Sequence, residues 1–309
     1  MLGVCCQWIE EKTKPKTKAS EMINLMEEKS LQLGRFRDGK YTEEYIRSVY
    51  RNNILNLSKM LPVIRGNGIR LFRISSSLFP LADIVERDLW DNKENKLILE
   101  KIGEFITSNN MRVSTHPGQF CVLSSDSDKV VENANSELAM HAWLFDAMKL
   151  EESPFYAINI HGGKADRTSL LIDRIKSLPA NVRNRLTLEN DESSYSVSDL
   201  LVVHKETCVP IVFDSHHHTF NEGYLSMQEA YDASLLTWHK TKPLQHISNT
   251  EPSLANGSFM DRRKHSDMIH YVPEPQLSAL RDDVIDVDVE AKLKNVSVFK
   301  MSSDFQIPL

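Results

Sequence analysis

The chain has 309 residues, of which 41% are hydrophobic and 26% charged, a size and balance that suit one large α/β domain or two small ones with a sizeable core. No apolar run approaches the ~18 residues of a membrane span, and the start MLGVCCQWIEE lacks a basic segment ahead of a long apolar stretch, so neither a membrane protein nor a secretory signal is expected. The net charge of −6 is not that of a protein gripping nucleic acid with its whole surface, although a few divalent cations in one site would reverse the field there.

Short β-rich runs alternate with longer polar stretches of helical period. Strands are expected at 3–8, 70–75, 112–116, 157–161, 185–190, 210–214, 244–248 and 286–291. Helices are expected at 42–67, 93–109, 129–150, 167–177, 196–207 and 227–238, the first carrying apolar residues at Tyr45, Val49, Ile54, Leu57 and Leu61. Strands alternating with helices predict a parallel sheet. Eight such units fit a single-domain TIM (β/α)8 barrel over residues 1–309, which needs about 250 residues and leaves the rest for loops. A doubly wound open sheet is the alternative, but no Gly-x-Gly-x-x-Gly turn follows an early strand. Segments 10–37 and 250–264 fall outside the pattern and read as active-face loops or short extra helices.

In such a barrel the active site lies at the C-terminal ends of the strands. Strand three ends at His116, strand four at His161, strand five at Glu189, and strand six at Asp214 with His217 three residues on. Strand seven ends at His246, His265 follows in the next loop, and strand eight ends at Glu290. A single histidine or carboxylate at a strand end is more often structural than a ligand. Six consecutive strand ends differ, because they converge on one mouth, and imidazoles and acids crowded there need a charged partner. Mixed His/Asp/Glu donors suit manganese, zinc or iron(II). Eight donors exceed the three or four that one ion takes, so two or three ions are expected, with Glu189 bridging, as in many phosphodiesterases. The cysteines Cys5, Cys6, Cys121 and Cys208 fit no zinc or disulfide pattern and point to a reduced, intracellular protein. No base partners Cys5 or Cys6, and core packing is their expected role.

The motifs LFRISSSLFPLA, STHPGQF, NIHGG, TLENDE, FDSHHH, QHIS, KHSD and VEAK, in this order from Leu71 to Lys292, resemble those of the ultraviolet-damage endonucleases, relatives of endonuclease IV within the xylose-isomerase-like barrels. The resemblance implies an enzyme that nicks damaged double-stranded DNA on the 5′ side of photoproducts and abasic sites. It implies divalent metal ions, manganese the usual choice, on the eight residues named above. It also implies a lesion probe at Gln119–Phe120, where a polar side chain and a flat ring fill the gap left by displaced bases. The Pro-Gly turn before Phe120 predicts a loop tip rather than a core strand.

Further contacts are expected from Ser77 near the lesion, from Arg263 in the basic run 262–264 to backbone phosphates, and from Lys292, which in a strand shares a face with Glu290 and would meet the phosphate in the transition state. The run of lysines at 12–18 reads as surface. Three positions depart from some or many family members; Ser77 stands where some have a histidine near the lesion pocket. Phe120 stands where some members have Tyr, and Leu244 stands where many have a lysine, carboxylated so that it can touch metal. An abasic-site endonuclease shares nearly all the ligands. A sugar isomerase or epimerase would use fewer histidines. A monomer acting inside the cell with access to DNA is expected.

Overall fold

The computed structural model describes residues 1–11, 22–24 and 27–309. Eight parallel strands form one sheet: β1 (Leu2–Cys5), β2 (Leu71–Ile74), β3 (Arg112–Thr115), β4 (Ile158–Ile160), β5 (Leu186–Glu189), β6 (Ile211–Val212), β7 (Leu244–Ile247) and β8 (Asp286–Val289). Neighbours in sequence pair, and β1 pairs with β8. The last seam, between β6 and β7, closes through a single bridge, Asp214 to His246, with the His246 amide donating to the Phe213 carbonyl at 3.0 Å. This is the expected TIM barrel, and two of the expected ligands close it.

Eight longer helices follow the strands: α1 (Glu43–Gly66), α2 (Lys93–Ser108), α3 (Asp128–Ala147), α4 (Thr168–Ser177), α5 (Val197–Thr207), α6 (Met227–Leu236), α7 (Glu274–Arg281) and α8 (Lys294–Phe305). Their starts follow capping chemistry. Ser196 with Asp199 and Ser226 with Glu229 form reciprocal capping boxes that satisfy first-turn amides of α5 and α6. On α1 the buried stripe is Ile46, Val49, Tyr50, Ile54, Leu57, Leu61 and Ile64. Tyr45, expected on it, is exposed and stacks on Tyr41 at 5.3 Å. Segment 10–37 contributes a short antiparallel pair, Ile9–Glu11 with Met22–Asn24, and a small helix Leu33–Arg37. Lysines 12–18 lie outside the described residues.

The period-2 alternation of strands sorts the side chains. One parity, including Val4, Phe72, Val113, Ile160, Leu188 and Val287, is fully buried in the main core with helix side chains such as Val49, Leu99 and Leu171. The other parity fills the barrel interior. Its lower part is the separate apolar cluster of Leu71, Ala157, Val212, Trp238 and Leu244. Arg112 and Asp286 pair there at 2.9 Å, both fully buried. Gly3 leaves room for this interior, because a Cβ there would meet Leu71 Cγ at 2.5 Å and Asp288 Oδ1 at 2.6 Å. Continuing that parity upward, two residues at a time, leads to His116, His161, Glu189, Asp214, His246 and Glu290 at the mouth.

Candidate metal centre

Glu189 ends β5 and has no solvent exposure. Its Oε2 lies 3.1 Å from His116 Nε2 and 3.0 Å from His246 Nδ1, and its Oε1 lies 3.3 Å from His217 Nδ1. Three imidazoles from three elements thus surround one carboxylate. His246 Nδ1 is also 3.2 Å from Glu290 Oε1, and His265 Nε2 is 3.6 Å from Glu290 Oε2. The rings of His161 and His116 are 5.0 Å apart. Among the described residues, three groups have donor atoms within 4.8 Å of one another: His116, His161 and Glu189; Glu189, Asp214 and His217; and Glu189, His246 and Glu290. Glu189 belongs to all three. Only His265 of the eight expected ligands stands outside them, and it sits against Glu290.

Polar side chains that carry no ligand role hold these residues. Asn159, two residues before His161 and on the same face, donates from Nδ2 to Glu189 Oε2, and Thr187 Oγ1 donates to Asn159 Oδ1 at 2.8 Å. Asn190 accepts from the Asp214 amide and donates to the Asp214 carbonyl, both at 2.9 Å, tying the end of β5 to the end of β6. Asp214 Oδ1 caps the short helix Ser215–His218 by accepting from the His217 amide at 2.8 Å. His217 Nδ1 lies 3.0 Å from the Asn190 carbonyl, so in the neutral ring that nitrogen carries the proton and Nε2 the lone pair. Arg73 of β2 pairs with Glu290 inside the mouth. Sequence reasoning missed Asn159, Asn190 and Arg73, although the alternation that placed His161, Glu189 and Glu290 inward also places Asn159 and Arg73 inward.

The charge balance supports a cation. Burial pushes Glu189 up, but His246 and His161 outweigh it and hold the carboxyl well below the usual range. Burial likewise opposes the low Glu290, which Arg73 and His246 hold down. Burial would lower His246, yet Glu189 and Glu290 push it up to about 10. Protons thus fill a demand for positive charge at this spot. The alignment of the donors fits metal better than protons. Glu189 Oε1, Asp214 Oδ2, His161 Nδ1 and both nitrogens of His246 are buried with no well-aligned hydrogen-bond partner, despite the short distances. Buried polar atoms without hydrogen bonds are rare and costly, and donors converging on shared points are what a coordination sphere requires.

A groove of about 900 Å³ opens above these residues, lined by His116, Gln119, His161, Glu192, Arg263 and His265 among others. Gly163, at φ +119°, lets its loop approach Val122 and Ser124 to form one wall, because a Cβ would meet Val122 Cγ1 at 2.5 Å. Phe120 stands beside the groove and is 77% exposed, at the loop tip the Pro-Gly turn predicted. Ser77 is exposed in the turn Ser76–Leu78 after β2, outside the groove lining. Lys292 lies outside the strand expected to carry it. β8 ends at Val289, the Lys292 amide bonds the Ser266 carbonyl, and the chain is already turning toward α8. The shared strand face with Glu290 therefore does not exist, and Lys292 Nζ lies 3.7 Å from Asp267. Leu244 packs one layer below His246 in the apolar cluster. Segment 250–264 holds two short turns of helix, Pro252–Leu254 and Phe259–Arg262.

Fold and site together define a parallel (β/α)8 barrel with a His/carboxylate cluster at its C-terminal mouth that could hold metal ions. The chain belongs to the UV-endonuclease UvdE family, whose family model matches residues 14–307, and this makes it a DNA repair endonuclease. It is 39% identical over 271 residues to a UV DNA damage endonuclease of Nostoc sp., covering 84% of this chain and 80% of that one. A UV DNA damage endonuclease of Deinococcus radiodurans is 33% identical over 265 residues, with 83% of each covered. The crystal structure of SacUVDE superimposes with a TM-score of 0.79 at 28% identity over 100% of this chain and 99% of that one. An L-ribulose 3-epimerase, at TM-score 0.51 and 12% identity over 82% of this chain and 81% of that one, shares the fold alone.

Proposed function

We propose that this enzyme nicks one strand of double-stranded DNA on the 5′ side of ultraviolet photoproducts and other lesions, using two or three divalent ions, manganese first among them. The observation that carries the reading is the fully buried Glu189 shared by three donor groups. His116, His161, Glu189, Asp214, His217, His246, His265 and Glu290 would hold the ions, which supply Lewis-acid activation of water and of the scissile phosphate. The protein's own residues do the rest. Glu189 would be shared between the sites, and Asn159 and Asn190 fix the directions of Glu189 and Asp214. Gln119 and Phe120 enter the duplex where damaged bases leave the stack, and extrusion is easiest where pairing is already weakened. Arg263 meets a backbone phosphate at the rim. Ser77 and Lys292, outside the groove lining, would contact the flanking DNA instead. We read the whole chain as one domain that works as a monomer inside the cell; no helix among the described residues is long and apolar enough to cross a membrane.

The test is a nicking assay on three duplexes, carrying one defined photoproduct, one abasic site or no damage, with manganese and with chelator. Metal-dependent cleavage immediately 5′ of the photoproduct is expected. Cleavage at the abasic site alone would move the enzyme to the endonuclease IV type. Cleavage unaffected by chelator would overturn the metal reading.

A further inference from the structure

We infer that Glu192 is a positioning residue that holds the Arg263 guanidinium at the rim of the groove, ready for a phosphate beside the metal centre. The inference rests on the reading above that the groove receives DNA. Glu192 follows Glu189 by three residues and is given no role there. Its side chain is 13% exposed, and its Oε1 lies 2.8 Å from Arg263 Nε, while Arg263 remains 37% exposed. Its Oε2 lies 3.8 Å from His217 Nε2. The pair therefore spans from a candidate ligand to the solvent edge, and both members line the groove.

The two loops that meet in this pair are each pinned from behind. On the Glu192 side, Asp191 is consumed by turning the chain: its carboxylate accepts from the amides of Ser193, Ser194 and Tyr195. On the Arg263 side, Phe259 packs on Phe220 at 5.5 Å, Arg262 stacks over the same ring at 5.5 Å, and Phe220 packs on His216 at 5.0 Å. Thr250 bridges to His265. An ion pair at a wet edge adds little to stability. A long side chain already held in place loses less freedom when a phosphate binds, and Arg263 can keep Glu192 on Nε while its terminal nitrogens face the phosphate.

A double-mutant cycle separates this from a merely structural contact and from competition between Glu192 and phosphate for Arg263. E192Q, R263Q and the double variant would be compared with wild type for binding of a fluorescein-labelled undamaged 20-base-pair duplex by anisotropy across a salt series. Nicking kinetics with manganese and thermal unfolding would follow on the same proteins. R263Q is expected to weaken binding about 5- to 10-fold and to reduce the salt slope by about one. E192Q is expected to raise KM about threefold with kcat within about twofold, and the double variant to match R263Q, because Glu192 acts through Arg263. E192D, which keeps the charge, should recover part of the loss. Tighter binding by E192Q, losses that multiply in the double variant, or a fall in kcat alone would each overturn the inference. Failure of wild type to bind or nick any duplex would overturn the underlying reading, and the inference with it.

Discussion

The two ends of this barrel solve the same problem differently. At the floor, Arg112 and Asp286 are both fully buried, yet each charged atom has a partner. Asp286 meets Arg112 Nη1 at 2.9 Å and Lys242 at 3.0 Å; Nη1 also donates to the Lys242 carbonyl, and Nε and Nη2 donate to the carbonyls of Phe155 and Pro154. At the mouth, Glu189 is equally buried, but several polar atoms have no well-aligned hydrogen bond and instead crowd within 4.8 Å of one another. The floor is complete as folded. The mouth gathers donors that could hold metal ions. Burial of charge alone therefore does not mark a functional site; burial of charge that the protein leaves unmatched does.

The largest effect expected from this contrast is on catalysis. Glu189→Gln removes the carboxylate common to all three donor groups, and nicking should fall by at least about 10²- to 10³-fold, the scale for losing one group that holds transition-state charge. In chelator the variant should still fold but unfold earlier than wild type, because it loses the carboxylate that most raises His246. Normal nicking by this variant would refute the bridging role. At the floor the effect reverses. Arg112→Ala removes the fully buried partner of Asp286 and leaves it only Lys242 and the N-terminal amine, and should lose about 3 kcal/mol in a urea titration, the low end of the range for breaking a buried pair. Its response to manganese, measured as the gain in unfolding free energy, should remain that of wild type. That gain is expected to reach about 2.7 kcal/mol when free metal is 100 times Kd, and to shrink in Glu189→Gln.

The features that distinguish floor from mouth were partly legible in the sequence. Strand period places every second residue inward, so His116, His161, Glu189, Asp214, His246 and Glu290 could be read as one set from strand ends alone. Helices α7 and α8 could not, because their buried positions include Gln276, Asn295 and Ser297, which break the apolar period that announces a helix. Asn159, Asn190 and Arg73 were hidden for another reason. Their roles depend on which strand lies beside them, and only the closed barrel shows it. Lys292 was misread because two residues of spacing imply a common face only while the strand continues, and β8 stops at Val289.

A smaller effect is expected at the rim, where neither burial nor metal is involved. Phe120→Ala should leave stability and metal content unchanged, since the ring is 77% exposed. It should reduce the preference for damaged over undamaged duplex by about tenfold, within the ~1–3 kcal/mol that stacking contributes per base. Equal activity of the variant on every lesion would sink the probe assignment.

The smallest effect sharpens the contrast between unmatched groups that attract charge and those that exclude it. His246 and His141 are both buried with neither ring nitrogen well bonded. Acids surround His246 and raise it to about 10, so in chelated protein its proton stabilises the fold below pH 6.5 and that contribution is lost as pH rises toward 10. No acid raises His141, on α3. Burial first, and then His116, lower it to about 3, so the folded state keeps it neutral while the unfolded chain protonates near 6.5. Its stability penalty therefore begins near pH 6.5 and grows as pH falls toward 3. Between pH 6.5 and 5.5 wild type should lose about 1 kcal/mol more than His141→Met, measured by urea titration at each pH in chelator. Parallel slopes for the two proteins would show that His141 takes up its proton in the folded state, and that the environment behind His116 is wetter or more acidic than its packing implies.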